Sequence, residues 1–257
     1  MLPRFHVSGV SQPLQEGAEL SLPAAAARHV QVLRLQPGAP LVLFDGSGGE
    51  WAATVTRMGR SDVDVRIGAH EPVDRELGLQ VTLALGMPAN DRMDTVVEKC
   101  TELGAAAFVP LVCERSVLRV SGERAERKKA HWQAVASSAS EQSGRTRVPN
   151  VEPVATLTAW LGRLPAFDAA IEARWLLSFC NASPLLPRFE NSRDVLTRPA
   201  ARLLVLSGPE GGLTEAEESL AITQGFHPIT LGPRVLRADT APMVVMAVVG
   251  QWVGGAR

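Results

Sequence analysis

Apolar and polar residues alternate over short distances in the first 72 residues, which is typical of β-strands. Residues 40–46 and 50–57 are short, largely apolar or alternating runs, and the Ser-Gly-Gly at 47–49 between them predicts a hairpin turn. In residues 61–67 every second side chain is apolar, which predicts a half-buried antiparallel strand. We therefore expect a small β-barrel in this region.

The pattern changes after residues 71–78, where charged residues, Pro and Gly are mixed. Beyond this stretch, strands are predicted at 79–85, 105–112, 167–172 and 202–206, and helices at 91–103 and through a basic stretch to Gln142. Alternation of strands and helices predicts a mostly parallel α/β sheet. We place the domain boundary here, with one domain at 1–72 and a second at 73–257.

Two predicted helices carry distinctive apolar faces. In the helix at 91–103 the apolar side chains share one face, and Gly104 is expected to end the helix; these side chains are Met93, Val96, Val97, Cys100 and Leu103. The last predicted helix, at 240–253, is apolar nearly all round. Such a helix must be buried on most sides, by its own domain or by a partner subunit.

Composition and charge exclude several classes of protein. A net charge of −1 argues against a protein that coats nucleic acid indiscriminately. Residues 115–147 nevertheless hold eight Lys or Arg against three acids, which indicates either an RNA surface or a solvated helix face. Cys100, Cys113 and Cys180 form no CxxC or CxxH pair, so we expect neither disulfides nor a metal site. With no signal-like start and no apolar run long enough to span a bilayer, we expect a cytoplasmic protein.

A glycine-rich loop follows the predicted strand at 202–206. Thr214 and Glu217 form a T-x-x-E capping box, which predicts that a helix begins directly after the loop. Glycines at the carboxyl end of a strand let the backbone approach a ligand closely. Because the loop has no Lys and is followed by several acids, it suits a cationic or zwitterionic ligand better than a phosphate. The alternative is merely a tight strand-to-helix turn.

A second loop, at 231–240, precedes the apolar final helix. It contains Arg234, Arg237 and Asp239 beside an otherwise apolar region. Arginines in such surroundings need an acidic partner or a ligand. Asp239 could therefore pair with one of the arginines and cap the helix, or these residues could line a pocket shared with the first loop.

Several motifs occur in an order and spacing that span nearly the whole chain. They are RFHV at 4–7, LFDG at 43–46, DRMD at 91–94 with KCTELG at 99–104, ERSV at 114–117, EQSGR at 141–145, SGPEGG at 207–212 and LGPRVLR at 231–237. Together these motifs resemble the RsmE family. The resemblance implies a SPOUT-class α/β methyltransferase domain with a C-terminal trefoil knot, preceded by a small PUA-like β-barrel domain.

The same resemblance implies the activity and its partners. The family uses S-adenosylmethionine to methylate N3 of a specific uridine in 16S ribosomal RNA, near the decoding site of the small ribosomal subunit, and a homodimer is implied. The two loops would hold the cofactor largely through backbone groups. The cofactor-binding residues would be Leu206, Ser207, Gly208, Pro209, Glu210, Gly211, Gly212, Leu231, Gly232, Arg234, Val235 and Leu236.

Uracil N3 must lose its proton before it attacks a sulfonium methyl group, so the site needs a cation or donor where charge develops on the ring. Arg237 is the first candidate, with Arg145 and Arg4 as further candidates, and Asp239 or Glu141 could orient the arginine or accept the proton. Alternatively, these acids and arginines only pair with one another. The RNA-binding residues are expected to be Arg4, His29, Arg34, Arg115, Arg119, Arg145 and Arg147.

The chain departs from the family pattern in places. Ala89 and Asn90 stand where Lys-Gly is common, Asp239 stands where Glu is common, and residues 172–186 match poorly. One alternative function is therefore a non-catalytic RNA-binding ribosome-assembly factor. Another is a SPOUT enzyme that acts on transfer RNA or on a ribose hydroxyl.

Overall fold

The computed structural model describes residues 2–9, 13–89 and 92–254, which form two compact units. The first unit comprises the described residues up to Glu76 together with Ser137–Val148, and the second comprises Leu77–Ala136 and the described residues from Pro149 onward. The sequence pattern contains no sign that Ser137–Val148 belongs with the first unit.

The first unit is built on a five-stranded sheet in the order β1-β3-β4-β5-β2. Its elements are β1 (Arg4–His6), β2 (Glu19–Ser21), α1 (Ala24–Val32), β3 (Pro40–Phe44), β4 (Glu50–Met58) and β5 (Val63–Glu71). Strand β1 is parallel to β3, and the other neighbouring pairs are antiparallel. The apolar residues between the sheet and α1 form the core of this unit.

The three strands predicted for this unit are confirmed as β3, β4 and β5, whereas β1 and β2 were not predicted. Strands β3 and β4 pair as a hairpin, with Leu43 opposite Trp51, and the turn contains three glycines with positive φ. The alternation predicted at 61–67 places Val63, Val65 and Ile67 in the core, each 3 % exposed or less. Helix α1 was not predicted, because its first turn offers only a run of alanines without a side-chain cap.

The second unit has strands alternating with helices. Its elements are β6 (Gln80–Gly86), α2 (Arg92–Glu102), β7 (Ala107–Val112), α3 (Gly122–Ser143, whose end from Ser137 belongs to the first unit), β8 (Asn150–Val151), β9 (Ala155–Thr156), α4 (Leu157–Leu161), β10 (Glu172–Leu177), β11 (Ser183–Pro184), α5 (Leu185–Asn191), α6 (Arg193–Leu196), β12 (Arg202–Ser207), α7 (Glu215–Thr223), β13 (His227–Thr230) and α8 (Thr240–Gly254).

The sheet of this unit confirms the predicted parallel α/β architecture. Its strand order is β11-β13-β10-β12-β6-β7-β8, with β9 also paired to β7, and every pair in the described residues is parallel. Helices α4 and α7 pack together over an apolar cluster that includes Leu204 and Leu206 of β12. Helices α2 and α8 pack against each other, and α8 also contacts β12.

The apolar faces of α2 and α8 are buried. Met93, Val96, Val97 and Cys100 are fully buried, and Gly104 follows the helix at φ +96°, as predicted for its end. The predicted helix start at Asp91 lies outside the described residues. In α8 the residues Val245, Met246 and Val249 are fully buried, whereas Met243, Val244 and Val248 are only partly covered.

The strand predicted at 167–172 is wrong. Residues 168–171 form a turn in which Asp168 accepts from the backbone N–H of Ala170 at 2.9 Å, and β10 begins only at Glu172. Glu172 and Arg174 lie inside β10 as a buried ion pair at 2.5 Å, and Arg174 also donates to the Gln224 carbonyl at 2.7 Å. Two charged residues interrupt the apolar run and hide this strand in the sequence.

Candidate active site

Three neighbouring parallel strands, β10, β12 and β13, end at one edge of the second unit's sheet. The segments that follow them line a cavity of about 510 Å³. The lining residues are 177–180 after β10, 207–213 after β12, 229–231 and 234–238 at the end of β13 and beyond it, with Glu218 of α7 and Ala241 of α8. Open α/β sheets bind small molecules at such an edge.

Both glycine-containing loops contribute to this cavity. Ten of the twelve residues predicted to bind the cofactor line it, namely Ser207, Gly208, Pro209, Glu210, Gly211, Gly212, Leu231, Arg234, Val235 and Leu236. Leu206 is instead fully buried in the sheet core. Gly232 is turned toward Thr230, whose hydroxyl oxygen lies 3.3 Å from its backbone nitrogen.

The cavity wall formed by residues 177–180 was missed by the sequence reasoning. The Ser178 hydroxyl donates to Glu218 at 3.0 Å and accepts from the Cys180 backbone N–H at 3.0 Å. Phe179 is 60 % exposed. The signal that could have found this wall is its position directly after a parallel strand, but the misplacement of β10 concealed it.

The loop after β12 is shaped by glycines and by the capping box. Thr214 caps α7 and Glu217 completes the capping box, which confirms the prediction. A Cβ atom on Gly208 would lie 3.0 Å from the backbone of Gly212, so a larger residue there would require the loop backbone to shift. A Cβ atom on Gly86, at the end of β6, would lie 2.5 Å from the Pro209 nitrogen.

Arg115 and Arg119, both predicted to bind RNA, lie in the exposed segment that follows β7. Arg115 donates to the backbone carbonyls of Gly211 and Leu213 at 3.2 and 3.3 Å. Arg119 donates to the carbonyls of Ser116 and Glu114 at 3.3 and 2.5 Å. Arg115 therefore contacts the loop that lines the cavity.

Arg234 and Arg237 are exposed residues of the loop before α8. The Arg237 carbonyl accepts from the backbone N–H groups of Thr240 and Ala241, so it caps the start of α8. Asp239 accepts from the Thr240 hydroxyl at 3.3 Å. Within the described ranges no ion pair joins Asp239 to either arginine, so the alternative that they only neutralise one another is not supported.

The other arginines predicted to be catalytic lie in the first unit and are engaged there. Arg4 forms an ion pair with Glu50, and their side chains are 5 % and 11 % exposed. Arg75 donates to the same carboxylate at 2.9 Å, and the two arginines hold the pKa of Glu50 below its usual value. Arg145 pairs with Glu76, and its backbone carbonyl accepts from Arg4 at 3.0 Å.

Glu141 belongs to a second cluster of the first unit. Its carboxylate accepts from the His6 backbone N–H at 2.9 Å and lies 3.1 Å from the His29 ring nitrogen Nδ1. Burial raises the pKa of Glu141, although both histidine contacts oppose the shift. Burial also lowers the pKa of His6. Arg34 and Arg147 are exposed, and Arg147 contacts only the Ser47 carbonyl among its described hydrogen bonds.

Comparison with known proteins places this geometry in a family. The family model described as RNA methyltransferase domain matches residues 75–250, and that of an RNA methyltransferase PUA domain matches residues 22–68. The ribosomal RNA small subunit methyltransferase E of Synechocystis is 36 % identical over 232 residues, 90 % of this chain and 72 % of the relative. The chain belongs to the RsmE family.

Two further relatives cover nearly the full chain. The Bacillus subtilis methyltransferase of the same name is 31 % identical, over 96 % of this chain and 95 % of its own length. The crystal structure of a Neisseria gonorrhoeae ribosomal RNA small subunit methyltransferase E bound to S-adenosylmethionine is 32 % identical, covers 98 % of each chain and has a TM-score of 0.84. The fold is thus an α/β methyltransferase domain with a PUA-type domain.

Ala89 stands where the resemblance implies a lysine, and in this RsmE-family chain it contacts the glycine loop through its backbone. Its N–H donates to the Glu210 carboxylate at 2.8 Å, a contact that does not use the Ala89 side chain. Arg92 lies 3.3 Å from the same carboxylate. Asn90, the second departure, lies outside the described residues.

The described part of this RsmE-family chain contains neither a metal-binding cluster nor a membrane-spanning helix. No group of three or more His, Cys, Asp or Glu side chains is arranged to hold a metal ion among the described residues. No helix in the described ranges combines the length and apolar character needed to cross a membrane. Cys100, Cys113 and Cys180 are free thiols, and burial raises the pKa of Cys113 to about 12.

Proposed function

We propose that this protein methylates N3 of a specific uridine in 16S ribosomal RNA, using S-adenosylmethionine, in the cytoplasm. The observation that carries the proposal is the cavity at the strand edge, because both family motif loops meet there. Its size of about 510 Å³ lies within the range of small-ligand pockets, roughly 300–1,000 Å³. The relatives are named ribosomal RNA small subunit methyltransferase E, which supports methylation of small-subunit ribosomal RNA.

The cavity residues suit this cofactor. Its sulfonium and ammonium groups are positive and its carboxylate is negative, and the lining offers the carboxylates of Glu210 and Glu218 beside Arg234. Apolar side chains such as Leu177 and Ile229 suit the adenine ring, and the glycine at 208 keeps the backbone accessible. When bound, the cofactor supplies an electrophilic methyl group on sulfur.

For catalysis we assign Arg237 as the residue that stabilises negative charge on the uracil ring after N3 loses its proton. Arg237 lines the cavity and has no acidic partner in the described residues, so its guanidinium is available to a ligand. Asp239 is the candidate that orients it or accepts the proton. Arg4, Arg145 and Glu141 are engaged within the first unit, and we assign them to positioning there.

The finer features of the fold and assembly are part of the same proposal. Strand β13 lies beside β10, on the side opposite β12, an order that is compatible with a C-terminal trefoil knot. Met243, Val244 and Val248 of α8 are only partly covered, which supports a homodimer that covers them. RNA would bind to the exposed Arg34 and Arg147 and the half-buried His29 of the first unit, and to the exposed Arg119 of the second.

Methyl transfer can be tested directly. Purified protein is incubated with labelled S-adenosylmethionine and small ribosomal subunits from a strain that lacks the enzyme, and the RNA is digested for nucleoside mass spectrometry. We expect label in N3-methyluridine. Binding without label transfer would favour the assembly-factor alternative, and a ribose mark or transfer only to transfer RNA would defeat the uridine assignment. Subunits from the wild-type strain, already modified, are the control.

A further inference from the structure

We infer that Arg115 is a positioning residue for cofactor binding, because it braces the glycine loop from outside the cavity. The inference rests on the proposed function and deepens it. It also changes the role that the sequence indicated for Arg115, which was a contact with RNA. The brace comprises Arg115 with the carbonyls of Gly211 and Leu213.

The brace sets the direction of backbone groups in the loop. In a planar peptide the C=O and the following N–H point in opposite directions. Because the Gly211 carbonyl is directed toward Arg115, the Gly212 N–H is directed away, and it donates to the Pro209 carbonyl at 2.9 Å. The 209–212 turn is thus held from both sides, with Gly212 at φ +70°.

The same segments make a second set of contacts. Glu217 of the capping box accepts from the Glu114 backbone N–H at 2.8 Å with one carboxylate oxygen and from Thr214 N–H at 2.9 Å with the other. The Thr214 hydroxyl lies 3.3 Å from the Glu114 carboxylate. The segment after β7 is therefore fastened to the C-terminal part of the glycine loop and to the start of α7.

The loop packs closely against Arg115 at residue 211. A Cβ atom there would lie 3.0 Å from the Cβ of Arg115, a tight contact that could be relieved only by a small shift of the loop or of Arg115. Glycine-rich loops have high conformational entropy, and a ligand that needs one loop conformation binds more weakly if the free loop samples many. A charged donor that fixes two loop carbonyls before binding reduces this cost.

The test compares Arg115→Ala and Arg115→Lys with Arg124→Ala, which removes an exposed arginine of α3 that does not contact the loop in the described residues. Affinity for S-adenosylmethionine and for its demethylated product is measured by calorimetry without RNA. We expect Arg115→Ala to weaken binding about tenfold, the effect of roughly one charge-assisted hydrogen bond. Lysine should recover part of it, and Arg124→Ala should bind like wild type.

Hydrogen–deuterium exchange in the cofactor-free protein provides a second readout. Arg115→Ala should raise exchange in residues 208–214 without changing the unfolding midpoint. Unchanged cofactor affinity and unchanged exchange, with weaker RNA binding and a smaller salt dependence, would overturn the inference and return Arg115 to the RNA surface. If wild type itself fails to bind the cofactor, the proposed function fails, while the exchange result still decides whether the brace orders the loop.

Discussion

The arginines of the first unit and those of the cavity loop are the same residue type in opposite situations. Arg4 and Arg145 have side chains 5 % and 6 % exposed, and each forms an ion pair with a buried glutamate. Arg234 and Arg237 are exposed and form no ion pair in the described residues. The difference teaches that an arginine in a sequence motif can either stabilise the fold or bind a ligand. The arginines that have a nearby carboxylate partner stabilise the fold, and those without one are available to a ligand.

The energetics of the two groups differ accordingly. A buried guanidinium loses its hydration, so it is tolerated only when a carboxylate and carbonyls replace the water. Glu50 forms ion pairs with both Arg4 and Arg75, which makes it the central residue of the first group. An exposed guanidinium keeps its hydration, and it can exchange water for a ligand at little cost to the fold.

Removing the central carboxylate should have the largest effect. Glu50→Gln leaves the buried Arg4 without its counter-charge, and we expect the free energy of unfolding to fall by about 3–5 kcal/mol. Urea unfolding followed by circular dichroism measures it. The matched control is Glu19→Gln, because Glu19 pairs with Arg66 at the surface. This substitution should lower the free energy of unfolding by less than about 1 kcal/mol. Equal losses in both variants would contradict the comparison.

Arg237→Ala should impair turnover and leave stability unchanged. Turnover should fall by about 10²- to 10³-fold through loss of charge stabilisation, while the unfolding midpoint stays at the wild-type value. Steady-state methylation assays and thermal unfolding supply the two measurements. Arg234→Ala, in the same loop, should act mainly by weakening cofactor affinity. An arginine variant with wild-type turnover would remove Arg237 from the mechanism.

The smallest expected effect is a pH dependence from Glu141. Burial raises the pKa of Glu141 in the folded state above 4.5, the usual value for a glutamate side chain. The protonated form of Glu141 therefore stabilises the fold. That contribution is complete below the unfolded pKa and is lost as pH rises through the folded pKa. The stability difference between wild type and Glu141→Gln should therefore decline as pH rises from about 4 to 7 in urea titrations.

The stability contribution of Glu50 should depend on pH in the opposite direction to that of Glu141. Its pKa is lowered in the folded state, so its contribution is present above the unfolded pKa and is lost as pH falls through the folded pKa. A difference between wild type and Glu141→Gln that stays flat, or that grows with pH, would show that burial does not dominate at Glu141.

Features with local causes could be predicted from the sequence. The turn glycines and two short strands are enough to predict the hairpin. Thr214 and Glu217 are enough to predict the start of α7. The loops of the cavity were found because glycines follow a strand. Alternation alone was enough to identify Val63 and Val65 as core residues.

Features that depend on distant partners could not be predicted. Arg4 is separated from Glu50 by 46 positions, and Arg145 from Glu76 by 69. No local pattern reveals such pairs, so the sequence alone presents both arginines as ligands of RNA or substrate. The position of β10 could not be predicted for the same reason. In the sequence, the charged Glu172 and Arg174 resemble the polar edge of a loop, although they form a buried ion pair inside the strand.

The assignment of Ser137–Val148 to the first unit has a consequence for how the chain is made. The ribosome synthesises Arg4 early, but the carbonyl of Arg145 that it contacts follows 141 residues later. The amino-terminal domain therefore cannot complete its native contacts until the nascent chain has extended well into the next domain. A fragment that ends near residue 76 would lack Ser137–Val148, so it would leave the Arg4 side chain without the backbone carbonyl that this segment supplies.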